Sequence, residues 1–206
     1  MPQIKTIIFD LGGVLIDWNP LYVFNTLIPD AEKRQFFFEK VCTMEWNEEQ
    51  DAGRTIAEAN AIKIAEFPEW EAEIRAYYGR WTEMLGGTIE STVAILRKAI
   101  RSPKYKVYAL TNWSGETFPI AKKIERFEFL HWFEGVVVSG DEKTRKPFPK
   151  IYEILLERYQ VNPSEAVFID DNFKNILAAR ELGIHAIHFK SPEQLVIELE
   201  ELGVVL

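Results

Sequence analysis

Cysteine is nearly missing from this chain: Cys42 is the only one in 206 residues. No disulfide can form within the chain, which suits a reducing compartment. No basic pattern surrounds Cys42 to lower its pKa, so a nucleophilic role is not expected. Blocks of basic residues are missing too, and the net charge is −8. Nucleic acid and anionic membrane surfaces are therefore poor partners. No apolar run is long enough to span a bilayer. The apolar N-terminal stretch is closely bounded by Lys5 and Asp10, without a signal-peptide layout. A cytoplasmic location is the expectation. Internal repeats and low-complexity tracts are also missing. What is present is ordinary for a soluble globular protein: 47% hydrophobic and 27% charged residues. The length allows one good core and a smaller lobe.

Ile4–Phe9 reads as a short buried strand, β-branched and nearly all apolar. From Pro20 to about Leu85 no strand is expected. Apolar residues recur there at helical spacing, with Pro29, Gly53 and Pro68 as punctuation, which predicts about four short helices. After Gly86-Gly87 helices and strands alternate. Helices are expected over 88–100, 116–127, 149–159, 173–182 and 192–200, and strands over 106–110, 135–138, 166–169 and 186–189. Alternation with apolar strands predicts an α/β fold, a doubly wound parallel sheet covered on both faces. The helical block becomes an inserted cap. The expected division is core over 1–17, cap over 18–87 and core again over 88–206.

In such sheets ligands bind outside the carboxyl ends of the strands. Those ends are polar here while the strand bodies are apolar: Asp10, Thr111-Asn112, Ser139 and Asp170-Asp171. Asp10 ends a buried strand, where a carboxylate is costly unless compensated. It precedes Gly12 and Gly13, a turn whose backbone N–H groups can approach an anion. This suits a carboxylate nucleophile beside a phosphate-sized pocket, although an Asp there also suits a helical cap. Asp10, Asp170 and Asp171 together call for a cation, and hard oxygen ligands suit Mg²⁺. The acidic pair could equally cap the next helix. Thr111 and Asn112 suit a phosphoryl oxygen but also open a common turn. Lys146, before a helix, can neutralise a transferring phosphoryl group or simply be solvated.

Four segments occur in order: Phe-Asp-Leu-Gly-Gly-Val-Leu around Asp10, Ala-Leu-Thr-Asn-Trp-Ser around Thr111, Arg-Lys-Pro-Phe-Pro-Lys-Ile-Tyr around Lys146, and Phe-Ile-Asp-Asp-Asn around Asp170-Asp171. The ordered set resembles the haloacid dehalogenase-like hydrolase superfamily over nearly the whole chain. The helical insertion resembles the C1-type cap of subfamily I, and the nearest likeness is to glucose-1-phosphatase-like sugar-phosphate phosphatases. The resemblance implies a Mg²⁺-dependent hydrolase of small phosphorylated metabolites. Asp10 would attack phosphorus and form an aspartyl-phosphate. Thr111 and the backbone near Asn112 would hold phosphoryl oxygens, and Lys146 would offset charge. Asp10, the Gly12 carbonyl and Asp171 would ligate the metal, with Asp170 as ligand or support and Asn175 buttressing the pair.

One position departs from the pattern. Most phosphatases of the superfamily carry a second Asp two residues after the nucleophile, as general acid and then base. Here it is Gly12, which has no proton to give. General acid–base help is worth about 10²–10⁴-fold. Three readings follow: a phosphatase with another proton source, Asp17 being the nearest by sequence; a haloacid dehalogenase, whose leaving halide needs no proton but whose relatives lack the acidic pair; or a phosphate-ligand or protein-binding member without turnover.

Trp46 and Arg54 lie in the most polar stretch of the cap. They are candidates to stack on a sugar ring and to bind a second anion, against a packing role. Trp113 follows the Thr111-Asn112 motif and is better placed to touch substrate. His185 and His188, three apart in a strand, point to opposite faces and do not form a metal pair. His131 is assigned to packing. The state expected is a monomer or a weak homodimer, with Phe36–Phe38 and Trp70 offering a cap-mediated contact.

Overall fold

The computed structural model describes residues 3–206. Its elements begin with strand β1 (Thr6–Phe9) and strand β2 (Ile16–Trp18). Helices α1 (Leu21–Leu27), α2 (Ala31–Phe36), α3 (Met44–Asp51), α4 (Ile56–Glu66) and α5 (Glu71–Gly79) follow. Strand β3 (Leu85–Thr88) closes this block. The chain then runs through α6 (Glu90–Arg101), β4 (Lys106–Thr111), α7 (Phe118–Ala121), β5 (Gly135–Val138), α8 (Ser139–Glu142) and α9 (Pro149–Arg158). It ends with β6 (Ala166–Asp170), α10 (Phe173–Glu181), β7 (His185–His188) and α11 (Pro192–Glu201).

Five strands form a parallel sheet in the order β5-β4-β1-β6-β7. The order reverses at β1, which pairs with β4 on one side and β6 on the other. Alternate residues of β1 feed two cores, as the strand period requires. Ile7 and Phe9 join a large core that continues into the helical block, through Phe24, Phe37 and Tyr77. Ile8 joins a second core with Tyr152, Leu155 and Ile176 from α9 and α10. The predicted doubly wound sheet with an inserted helical cap is the architecture found.

Three local expectations change. A two-stranded antiparallel ribbon joins cap to core, β2 pairing with β3. Gly86 hid β3 from a propensity reading, yet a side chain there would collide with Asp17 and the Tyr22 ring. Backbone pairing, not propensity, makes this strand. The helix expected over 116–127 is only α7, followed by tight 3₁₀ turns over Glu125–His131. Extended backbone at Ile124 interrupts it, which lets Phe127, Phe129 and Leu130 enter the core. His131 is exposed and its Nε2 meets the Lys122 carbonyl at 2.9 Å, so it caps a turn rather than packs.

Where that large core enters the cap it is aromatic, with Phe24 stacked on Phe37 and Trp46 edge-on to Tyr77. Phe37 is fully buried, whereas Phe36 is exposed and stacks on Trp70. Among the described residues, no helix is long and apolar enough to cross a membrane.

Candidate active site

Asp10 follows β1 at the point where strand order reverses, between the ends of β4 and β6. That is where open α/β sheets place their ligands. Its Oδ1 accepts from the Leu11 N–H at 2.7 Å and lies 2.9 Å from the Lys146 ammonium. Both contacts fall on Oδ1, and Oδ2 takes neither. Burial pushes the Asp10 carboxyl well above the ordinary range; Lys146 opposes this and Asp170 adds to it.

Lys146 is the buried hub. Its Nζ donates to Asp170 Oδ2 at 2.7 Å and to the Leu110 carbonyl at 3.0 Å, besides meeting Asp10. Burial works against its charge, but Asp10 and Asp170 outweigh it and hold the ammonium above its usual value. The Asn112 amide grips the Lys146 peptide from both sides, accepting from its N–H at 2.8 Å and donating to its C=O at 3.0 Å. The Asn112 side chain thus positions Lys146.

Asp170 is fully buried and saturated. It accepts from the Asn172 N–H at 2.7 Å and from the Asn175 amide at 3.0 Å, in addition to Lys146. Asn175, expected as a buttress, makes that contact. Asp171 opens to the surface, and its backbone carbonyl meets His188 Nε2 at 2.9 Å. Surrounding protein desolvates the Asp171 carboxyl and raises its pKa, with Asp170 adding to the effect. Helix α10 is capped by Asn172 rather than by the acidic pair.

Carboxylate oxygens of Asp10, Asp170 and Asp171 lie within 4.8 Å of one another. Three carboxylates share one lysine, so negative charge is left over. Two of the three have raised pKa values, chiefly from burial, with the neighbouring carboxylates adding to it. A hard divalent cation fits this donor set. Gly13 has φ +71°, and a Cβ there would run into the Asp171 carboxylate. The turn must be glycine for Asp171 to reach the site.

A cavity of about 260 Å³ opens over these groups. The core lines it with Asp10, Gly12, Gly13, Asn112, Trp113, Lys146 and Asp171. Thr111 is buried at the end of β4, just behind this wall. Trp113 is fixed by its indole N–H to Thr117 Oγ1 at 3.1 Å, its backbone N–H to Ser139 Oγ at 2.9 Å and edge contact with Trp81. The opposite wall comes from Trp18, Met44, Asn47, Glu48, Asp51, Tyr78 and Trp81. Asn47, Glu48 and Asp51 fall in the polar stretch that the sequence singles out, though Trp46 and Arg54 are the candidates there; Trp18, Met44, Tyr78 and Trp81, scattered over β2, α3, α5 and a turn, are not singled out by it.

Trp46 and Arg54 are turned into the cap instead. Trp46 is buried against Tyr77 and Tyr78. The Arg54 guanidinium donates to Gln50 Oε1 at 2.7 Å and to the Trp46 carbonyl at 3.0 Å, holding the turn after α3. Asp17 accepts from the Tyr22 hydroxyl at 2.5 Å and is not part of the cavity wall. Burial drives the Cys42 thiol up to about 12, in keeping with an inert role.

A switch-point carboxylate, a buried lysine and an acidic pair on a doubly wound sheet define a hydrolase-type site. The family model for haloacid dehalogenase-like hydrolases matches residues 4–183, and the chain belongs to that family. It is 27% identical over 207 residues to a sesquiterpene phosphatase from Aspergillus oryzae, covering 96% of each protein. It is 34% identical over 135 residues to a glyceraldehyde 3-phosphate phosphatase from Pyrococcus furiosus, covering 65% of this chain and 55% of that enzyme. A HAD family enzyme from Bacteroides thetaiotaomicron, solved with magnesium and inorganic phosphate, superposes with a TM-score of 0.71. That match is 26% identical and covers 91% of this chain and 94% of the other.

Proposed function

We propose that this protein hydrolyses small phosphate monoesters, with Mg²⁺, through an aspartyl-phosphate on Asp10. The observation that carries the reading is the contact of Asp10 Oδ1 with a lysine that also holds Asp170. A dehalogenase has no use for two further carboxylates at such a site. The magnesium and phosphate in the Bacteroides enzyme support the same reading.

Asp10, the Gly12 carbonyl and Asp171 would hold Mg²⁺, which when bound supplies positive charge beside the phosphoryl group. Asp170, with both oxygens engaged, would orient Lys146 and support the metal from behind. The Asp10 carboxylate attacks phosphorus, held in place through Oδ1 by Lys146 and the Leu11 N–H. Lys146 offsets charge on Asp10 and on the transferring phosphoryl group. The backbone around Asn112 and the Gly13 turn hold phosphoryl oxygens, with Thr111 packed just behind them. The cap, assigned to 18–87 between core segments 1–17 and 88–206, closes over the organic half of the ester. Trp113 supplies part of that wall. A sugar phosphate or a similarly small ester fits the cavity. The enzyme would work in the cytoplasm as a monomer or weak homodimer, any contact centring on Phe36 and Trp70.

The test is phosphate release from a panel of esters, with Mg²⁺ and with chelator. Metal-dependent release establishes the activity. Halide release from 2-haloacids in the presence of chelator would instead establish the dehalogenase. Phosphate binding with no turnover on either panel would leave a binding protein.

A further inference from the structure

Departure of an alkoxide from phosphorus needs a proton, and Gly12 cannot provide one. A Cβ at Gly12 would meet no atom within 4 Å, so no neighbour has grown into that space. The other groups near Asp10 are engaged. Lys146 spends its ammonium on Asp10, Asp170 and the Leu110 carbonyl. Glu48 is ion-paired with Arg145 at 2.8 Å, and Asp17 lies outside the cavity.

We propose that Asp51, the last residue of α3, is the proton donor and acceptor of the reaction, supplied by the cap across the cavity from Asp10. The proposal rests on the phosphate-ester reading above. Asp51 lines the same cavity as Asp10, Lys146 and Asp171. Its Oδ2 accepts from the Asn47 amide at 3.2 Å, a long bond, and it has no ion-pair partner among the described residues. Its position is fixed relative to the core. The Gly53 turn after α3 packs on the Gly140 carbonyl, and the Ile56 N–H donates to Glu116 of the core at 2.7 Å.

Groups from every side set its protonation. Asn47 and Glu48 face it from α3, and Tyr77 and Tyr78 from α5. The Ser114 N–H, Arg145 and Lys146 face it from the core. Burial dominates, Glu48 adds to it, and the three core groups only partly offset them, so the carboxyl titrates at about 7. A group poised there can be acid and base in turn at neutral pH.

Two steps balance. As the Asp10 carboxylate bonds to phosphorus and the ester P–O bond breaks, the Asp51 carboxylic acid gives its proton to the departing oxygen. The alcohol leaves, and Asp51 becomes a carboxylate. It then takes a proton from the water whose oxygen attacks the aspartyl-phosphate. The bond from phosphorus to Asp10 breaks, inorganic phosphate leaves, and both carboxyls return to their starting states. The sum is ester plus water giving alcohol plus phosphate.

The experiment compares wild type, Asp51→Asn and the double variant Asp51→Asn/Gly12→Asp on p-nitrophenyl phosphate and an alkyl phosphate. A thermal melt confirms that each variant folds. Asp51→Asn should lower kcat/KM about 10²–10⁴-fold for the alkyl ester and less than about 10-fold for p-nitrophenyl phosphate, whose phenolate leaves unaided. The wild-type alkyl rate should fall as pH rises through about 7, and Asp51→Asn should lose that limb. Gly12→Asp should restore alkyl turnover to Asp51→Asn. Equal losses on both esters, an unchanged Asp51→Asn enzyme, or wild type active on p-nitrophenyl phosphate alone would each overturn the role of Asp51. Silence of wild type on both esters would sink the phosphatase reading, and the proposal with it.

Discussion

The two walls of the cavity are built on different principles. The core wall is a closed polar network in which Asp10, Asn112, Lys146, Asp170 and Asn175 fix one another through contacts of 2.7–3.0 Å. The cap wall is mostly aromatic and apolar, with Trp18, Met44, Tyr78 and Trp81 around a few acids. The first arrangement holds charge in fixed positions, which is what stabilising a transferring phosphoryl group requires. The second offers shape and dryness, which sorts organic groups without committing to one. The charged network and the aromatic surface thus sit on different faces of one opening, and they should fail differently when mutated.

The sharpest break is at Asp10, the proposed nucleophile. Asp10→Asn keeps the shape and removes the attacking carboxylate, so turnover should fall to background while the melting temperature holds or rises. The carboxyl it replaces is already strained by burial, and its folded pKa is raised. The folded state therefore favours the proton, and stability is lost as pH climbs from the free-carboxylate range towards that raised value. Asparagine removes the loss. Retained turnover would remove Asp10 from the mechanism.

Lys146→Ala should be the costliest for stability. It leaves Asp10 and Asp170 buried without their cation, at about 3–5 kcal/mol by denaturant unfolding, with activity lost. Loss of activity without destabilisation would show that the network is looser than its distances suggest. Asn112→Ala releases the Lys146 peptide from two hydrogen bonds and should cost about 1–3 kcal/mol, with kcat falling more than KM changes. On the core wall but outside the charged network, Trp113→Ala should raise KM more than it lowers kcat, because the ring is proposed to contact substrate without charge development. The reverse would move Trp113 into the chemical machinery. The smallest effect is expected at the ion pair joining the two walls. Glu48→Gln should cost less than about 1 kcal/mol, since both partners are partly solvated.

Much of the core wall was legible because each of its parts is local. A strand followed by a carboxylate, or by Thr-Asn, can be read in a window of six residues. The sheet then brings such strand ends to one rim by topology alone. Asp10, Asp170 and Asp171 are brought together in this way, Lys146 from the loop before α9 and Asn175 from α10 reach the same rim, and Thr111 lies just behind. The use of the Asn112 amide was not legible, because its partner lies 34 residues away in the Lys146 peptide. The cap wall was harder still. Trp46 and Trp81 look alike in sequence, yet one is buried under Tyr77 and the other faces the cavity. Helical spacing tells which residues turn inward but not which end of a short helix meets the core. Strand β3 escaped because Gly86 and Gly87 carry no β propensity, and only pairing with β2 makes them a strand.

The order of apolar strands and polar strand ends determined the fold and which polar groups meet at the sheet's rim, because those depend on periodicity of two and on residues adjacent in the chain. Tertiary structure alone decided the rest: which oxygen of Asp10 is tied to Lys146, that Arg54 is spent inside the cap, and that Asp51 lines the same cavity as Asp10, 41 residues before it in the chain. Burial and Coulomb interactions act through space, and only the folded chain sets those distances.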